Sequence, residues 1–443
     1  MFPPRRQDSG KFILAPETGL EHDSLILIRK TVQYMKTVLL TAILLALVLA
    51  VSADQIRQEG RFVPYPNTFS DSLKAQIRES QPDVPEALVF KLNPEGLAVP
   101  GSPSDFTQAW HQPPVSQDLT GSCWCFSATS LLESEVHRQT GRVVSISEMF
   151  TVYCEFVEKA RGFIRTRGDT AFTRGSQANA AVRLWKQYGC IPAEAWSGIG
   201  GKTGILDDRA MFEEMTIRLD AAKSAAQWNE DAVLADIRAI LNHHMGTPPE
   251  TFMFEGHMLD PKRFLSEILR INTDDFVDVL SLKSQPFFQR VEYKVADNWW
   301  HSADYHNVPL DDFIALIRQA VRSGFTMCIV GDNSEPGFLQ DINCAVIPDF
   351  DIPAAFINDD ARQMRFENES TTDDHAIHVV GYLEKDGANW YLIKDSGNRS
   401  RNGRHPGYMF YREDFIKLKM MNIMIHKDAL GELAKRFLPA GAP

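Results

Sequence analysis

The run Gln117-Asp-Leu-Thr-Gly-Ser-Cys123-Trp124 constrains the fold of this chain more than any other stretch. Gly121 and Ser122 mark a turn, and the residues that follow read as a helix. Phe126, Ser130, Leu131 and Val136 recur near helical spacing, Ser122 stands at the N-cap, and Glu133 and Glu135 are expected to face water. Cys123 then lies in the first helical turn. The partial positive charge of a helix N-terminus favours thiolate over thiol, and the thiolate is the nucleophile. Gln117 carries an amide that would donate, with the Cys123 backbone N–H, to the oxygen that turns negative when a carbonyl is attacked. A buried structural cysteine in a Trp-Cys-Phe core segment is the alternative. A base and an orienting group elsewhere decide between the two.

Thr372-Asp-Asp-His375-Ala-Ile-His-Val-Val-Gly-Tyr382 supplies the base candidate, His375, at the head of a Val- and Ile-rich run that reads as a buried strand. Asn389-Trp-Tyr-Leu-Ile-Lys-Asp395 alternates like the next strand and ends on a carboxylate. If the two strands pair, Asp395 receives one ring N–H of His375 while the other ring nitrogen faces Cys123. His378, three residues on, points to the opposite face and reads as a packed or surface histidine.

These residues resemble a papain-like cysteine peptidase, of the bleomycin hydrolase or aminopeptidase C branch. The likeness rests on Gln117, Gly121-Ser-Cys123-Trp-Cys-Phe-Ser127, Arg174-Gly-Ser-Gln177, Tyr188-Gly-Cys-Ile-Pro192, Asn272-Thr-Asp-Asp-Phe276, Arg365-Phe-Glu-Asn-Glu-Ser370, Asp374-His-Ala-Ile377 and Gly407-Tyr408. It runs from about Asp105 to about Lys427. The resemblance implies Gln117 as oxyanion donor, Cys123 as nucleophile, His375 as base and Asp395 at the family's orienting asparagine. Gly175, Ser176 and Trp124 would face the substrate. It implies no cofactor, and no metal is expected, because HExxH and clustered cysteines are absent.

Three departures qualify the likeness. Asp395 replaces Asn, which should hold an imidazolium more firmly and alter the pH dependence. Gly397 replaces the tryptophan that shields the orienting hydrogen bond, so a wetter and weaker bond is expected. Ser176 replaces the second glycine of a substrate-facing pair.

Spacing separates the branches. His375 lies 252 residues after Cys123, where the simple layout needs roughly 130–150. The excess falls mainly between Trp196 and Trp300 and reads as helical. Val233, Leu234, Ile237, Ile240 and Leu241 share one face up to a stop at Gly246, and Pro261 opens another helix. The expected fold is α+β, a papain-like two-lobe fold with a helical lobe, an antiparallel sheet lobe and a long helical insertion at about 197–300. Sheet-lobe elements are expected as a helix from Leu310 to Ser323 and strands at 327–331, 376–382, 390–394 and 408–411. The domain plan is an N-terminal extension and secretory signal (1–53), a pro-like or linker segment (54–104), the peptidase domain (105–427) and a C-terminal tail (428–443).

Met35-Lys36, the apolar run Val38–Val51 and Ser52-Ala53 before Asp54 read as a secretory signal, with Met35 as the true start. Export to the periplasm or outside follows, with a cytoplasmic enzyme as the alternative. The apolar run falls short of the about 20 residues that span a bilayer, so no stable membrane insertion is expected after signal removal. A net charge of −12 argues against nucleic acid as a partner. The basic stretch Lys159–Arg174 reads as a solvated face first and as a carboxylate-binding patch second. Six cysteines without metal-type pairing suggest few or no disulfides.

The expected function is peptide-bond hydrolysis on peptide substrates, by an aminopeptidase with broad side-chain tolerance. In the resembling branch the inserted region builds subunit contacts, which implies a homo-oligomer, a hexamer by that likeness. A catalytically impaired peptide-binding protein, a cysteine endopeptidase and a transglutaminase- or amidase-like enzyme are the alternatives.

Overall fold

Gly141, in the left-handed conformation (φ 72°), stops the helix that Cys123 begins, so α1 spans Cys123–Thr140. Ser147 accepts from Phe150 N and starts α2, Glu148–Arg165. With α3 (Ala180–Tyr188), these helices make the first lobe around Trp124, Leu131, Phe150, Phe156 and Trp185. The computed structural model describes residues 29–41, 58–77, 88–198 and 204–437. The chain divides into two units, Met1–Arg57 and Gln58–Pro443. In the first, residues 29–41 form a helix. The expected signal, Met35–Ala53, lies outside the described residues from 42 onwards. Among those described, no helix is long and apolar enough to cross a membrane.

The expected insertion opens with two helices, α4 (Arg209–Ser224) and α5 (Glu230–Met245). Their buried faces, Met211, Met215 and Leu219 on one and Val233, Leu234, Ile237 and Leu241 on the other, join the core of the first lobe. The stretch is not helical throughout. A small hairpin pairs Phe252–Phe254 with His257–Leu259, and β1 (Phe276–Leu280) belongs to the main sheet. Phe-Val-Asp-Val-Leu has the β-branched, short apolar character of a buried strand, which the helical reading of this region overlooked.

The second lobe is built on α6 (Leu310–Arg322), β2 (Met327–Gly331), β3 (His375–Lys385), β4 (Ala388–Lys394), β5 (Tyr408–Arg412), α7 (Glu413–Lys419) and β6 (Met420–His426). The central sheet order is β5-β4-β3-β2-β6-β1, antiparallel throughout. Phe313 and Ile317 of α6 pack with Ile329, Ile377 and Ile423 of the sheet. Each such fully buried side chain contributes about 1.5–3 kcal/mol relative to exposure. The strands start or stop within a few residues of the expected bounds. β3 runs three residues past Tyr382, through a bulge between Val379 and Gly381. The last strand, β6, went unanticipated.

α1 lies across the other face of the sheet, with Ser130 Oγ 2.8 Å from His378 Nδ1. Being covered by the sheet on one side and by helices on the other, it buries Glu133 and Glu135, which were expected to face water. Glu135 pairs with Arg138 (2.7 Å), and Glu133 accepts from Ile146 N (2.9 Å).

Candidate active site

Antiparallel pairing of β3 and β4, in the register His378 to Lys394, sets His375 at the start of one strand beside Asp395 just past the end of the other. The imidazole Nε2 donates to Asp395 Oδ1 at 2.9 Å. The remaining ring nitrogen, Nδ1, is left for Cys123, the first residue of α1, whose thiol is partly exposed. Burial pushes the His375 imidazole down, but Asp395 and the adjacent Cys123 thiol outweigh it and hold the ring well above its ordinary range. Cys123, His375 and Asp395 are thus brought together.

Gln117 is buried and clamped. Its Oε1 accepts from Ser396 Oγ (2.8 Å) and one N–H donates to Thr120 O (2.9 Å), which leaves its second amide N–H unspent. Ser396 follows Asp395 directly, so one short segment orients both the imidazole and the amide. The clamp leaves no mark in the sequence, since a serine at a strand end has many uses.

The turn before Cys123 is pinned from outside. Gly121 N donates to Asp208 Oδ2 (3.2 Å), and Arg174 bonds Leu119 O (2.7 Å) and Asp208. Ser122 holds the N-cap position without capping. Its hydroxyl lies 2.5 Å from Thr120 Oγ1 instead. The basic stretch Lys159–Arg174 is only in part a solvated face, with Arg165 and Arg167 exposed. Lys159 is buried, Arg161 and Arg165 pair with Glu230, and Arg174 pairs with Asp208, carboxylates that come from the inserted helices and the segment before them.

The other expected residues divide. Gly175 is partly exposed beside the buried Ser176, whose hydroxyl donates to Glu155 (2.6 Å). Trp124 does not face the cleft. It is 2% exposed in the helical core, because one helical residue rotates a side chain by about 100° away from the direction of Cys123. His378 is fully buried, and burial and Lys394 hold it well below its ordinary range.

The expected wetter bond at His375 is not found. Asp395 is 2% and the His375 side chain 13% exposed. Gly397 donates its backbone N–H to Asp395 Oδ1 (2.7 Å), and a Cβ on it would stand 3.1 Å from His375 Cε1. The missing side chain lets the backbone close over the pair. All six cysteines are free thiols, and among the described residues no His, Cys, Asp or Glu cluster could hold a metal.

A thiol at a helix N-terminus, an imidazole held by a carboxylate and an amide with a spare N–H can perform acyl transfer through a thioester. Comparison with known proteins agrees. Residues 105–195 match the papain family cysteine protease model. Aminopeptidase C of Listeria monocytogenes is 22% identical over 369 residues, covering 73% of this chain and 82% of that protein. Bleomycin hydrolase of Rattus norvegicus is 21% identical, covering 72% and 82%. Aminopeptidase G of Lactobacillus delbrueckii is 20% identical, covering 71% and 81%. PepW of Lactobacillus rhamnosis shares the fold, with a TM-score of 0.62 at 16% identity over 76% of this chain and 85% of that one. The chain carries a papain-family peptidase domain and is a cysteine peptidase, related to proteins named aminopeptidase C, aminopeptidase G and bleomycin hydrolase.

Proposed function

We propose that this cysteine peptidase is an aminopeptidase whose chemistry is carried by Cys123, His375, Asp395 and Gln117. The observation that carries the assignment is the imidazole of His375, bonded to Asp395 through Nε2 and lying against Cys123. The thiolate of Cys123 attacks the carbonyl carbon of the first peptide bond. The free N–H of Gln117 and the backbone N–H of Cys123 receive the developing oxyanion. The His375 imidazolium gives its proton to the departing amine as the C–N bond breaks, leaving a thioester on Cys123. Neutral His375 then takes a proton from water, the hydroxide adds to the thioester, and the amino acid leaves as Cys123 recovers its thiolate. Asp395 holds the ring and stabilises its cationic form. Gly175 and Ser176 offer backbone to an extended substrate.

The names of the relatives support single-residue cleavage from the amino end. Export through the Met35–Ala53 segment and a homo-oligomeric state belong to the same reading. Ile217, Met253 and Met258, exposed on the inserted region, are apolar surface of the kind subunit contacts use.

The test is a pair of fluorogenic amides, one with a free α-amine and one N-acetylated. The free form should be cleaved preferentially, and Cys123→Ala should abolish turnover. Equal rates on both substrates would refute the aminopeptidase assignment, and an active Cys123→Ala would refute the catalytic one.

A further inference from the structure

The described part of the expected pro-like segment is stitched into the sheet lobe. Strand Gly60–Pro64 pairs with strand Leu88–Leu92, Phe62 opposite Phe90, and a helix, Thr68–Gln76, follows the first strand. Between strand and helix, the Tyr65 hydroxyl donates to Phe338 O (2.7 Å) and accepts from Gln340 N (2.9 Å). Gln340 Nε2 donates in return to Pro66 O (2.7 Å). Lys91, 5% exposed, donates to Glu335 O and Phe338 O at 3.1 Å each. Burying an ammonium and a phenol is costly unless both are bonded, and both are bonded here to backbone of the lobe.

Asn402 is where this seam meets the catalytic site. It follows directly on the 3-10 turn Asn398–Arg401. Its Oδ1 accepts from Phe69 N (2.9 Å) and Thr68 Oγ1 (3.0 Å). Its Nδ2 donates to Asn67 Oδ1 (3.0 Å) and Gln340 Oε1 (3.2 Å). The two donors and both acceptor positions of the amide are thus in use. Asn67 Oδ1 also accepts from Ser70 N (3.2 Å) and so caps the helix Thr68–Gln76. Phe69 of that helix lies under Arg401, whose Cζ stands 5.6 Å from the ring centre. On its inner side the turn is tied to the orienting carboxylate. Ser400 Oγ donates to Gly397 O (2.7 Å), Gly407 N donates to Ser400 O (3.0 Å), and Asp395 N donates to Gly407 O (2.9 Å). Bonded contacts therefore run from the N-terminal helix, through Asn402 and its turn, to the residue that holds His375.

We propose that residues 58–76 are a working part of the active site rather than a removable pro-segment, and that Asn402 is the positioning residue through which they hold the Gly397 N–H and the Arg401 charge at Asp395. This role rests on the catalytic assignment of Cys123, His375 and Asp395 and not on the aminopeptidase reading. Losing the Asn402 amide frees the turn on its outer side. Gly397 then withdraws, water reaches the ion pair, and Asp395 holds the imidazolium less firmly. A retreat of Arg401 acts the other way on the ring. Asp395 is hydrogen-bonded to the ring and Arg401 is not, so the loss at Asp395 prevails. Cys123 and Asp374, the other ionisable groups that act on or with His375, stay in place in every variant below.

The pH dependence of Cys123 alkylation by iodoacetamide tests this in the full chain, because it needs no substrate and its alkaline inflection reports the imidazolium. Asn402→Ala should move that inflection down by about 0.5–1 unit, and Phe69→Ala should move it in the same direction. In an Asp395→Asn background, which itself moves the inflection down, Asn402→Ala should add no further shift, since its effect passes through the missing charge. Thermal melting reports that each variant is folded, and if Asn402→Ala fails to fold, Phe69→Ala carries the test alone and in that background. The intact mass of the active protein should include residues 58–76. If Asp395→Asn moves the inflection while the other two variants leave it in place, the positioning role is overturned and the catalytic assignment stands. A shift as large in the Asp395→Asn background as in the parent overturns it too, as does an active species that begins after Gln76. An inflection that Asp395→Asn does not move overturns the catalytic assignment, and the positioning role with it.

Discussion

Replacing Asp395 by Asn removes one negative charge and little else, because an amide oxygen can still accept from His375 Nε2 at 2.9 Å. With the charge centres about 4 Å apart and an effective dielectric constant of about 20, the lost attraction is about 4 kcal/mol. That corresponds to about three pH units on the imidazolium. The same carboxylate also accepts from Gly397 N (2.7 Å) and feels the positive charge of Arg401, which spreads its influence. We therefore expect a shift of about one to two units. The sign is downward, since losing an anion makes the imidazolium easier to deprotonate. The alkaline limb of kcat should move to lower pH. The ring resonances of His375, followed by NMR in histidine-labelled protein, should titrate lower by the same amount. Stability should change in step. His375 binds its proton more tightly folded than unfolded, so its contribution is full below about pH 6.5 and is lost as pH rises through the folded value. The melting temperature of Asp395→Asn should therefore fall further below that of the parent at pH 6 than at pH 9. A limb that stays in place, or moves upward, would refute the reasoning.

Two further substitutions probe neighbouring features. Gly397→Ala puts a methyl group 3.1 Å from both Asp395 Oδ1 and His375 Cε1, at an ordinary φ of −71°. The cost is therefore steric crowding of the pair, about 1–3 kcal/mol, and kcat should fall more than KM changes, as steady-state assays and melting would show. Glu133→Gln addresses the buried acid behind α1, whose carboxyl is pushed up to about 8 by burial and by Glu148. A raised carboxyl contributes stability that is full below about 4.5 and lost as pH rises through about 8, a swing on the order of 2–4 kcal/mol. The melting temperature of Glu133→Gln should therefore gain on the parent between pH 5 and pH 8, and a constant offset would count against the account.

Local chemistry was legible where one segment carries its own signal. Cys123 with its helix, His375 with its Val- and Ile-rich strand, and Asp395 at the end of an alternating run were readable because each is a short pattern with a periodicity. What escaped depends on partners far along the chain. Glu133 and Glu135 looked solvent-facing because a polar residue on a helix usually is, yet α1 has no free face once the sheet and α2 close on it. Lys159 looked like part of a basic surface, and it is buried by its bonds to Thr173 and Gly175. Trp124 followed the nucleophile so closely that it invited a role in the cleft, while helical rotation turns it inward. The Ser396 clamp on Gln117 spans 279 residues of sequence, and no local pattern announces it.

The two departures at 395 and 397 are better understood together than apart. A carboxylate in place of an amide brings charge into a nearly sealed site, and a buried charge needs donors. The backbone N–H of Gly397 is one, and it reaches Asp395 because no side chain stands between that backbone and the imidazole. Gly397 also begins the short 3-10 turn Asn398–Arg401, tied by Ser400 Oγ to Gly397 O at 2.7 Å. That turn ends on a partly buried guanidinium above the ring of Phe69, with Nε and Nη2 unpaired and with Asp395 and Asp118 as its nearest acidic influences. The cation feels both the orienting carboxylate and that of the residue next to Gln117. An aromatic shield protects a neutral orienter by excluding water. Here close backbone and a counter-charge do the same for an anionic one, so the charge on Asp395 and the bare backbone of Gly397 each make the other workable.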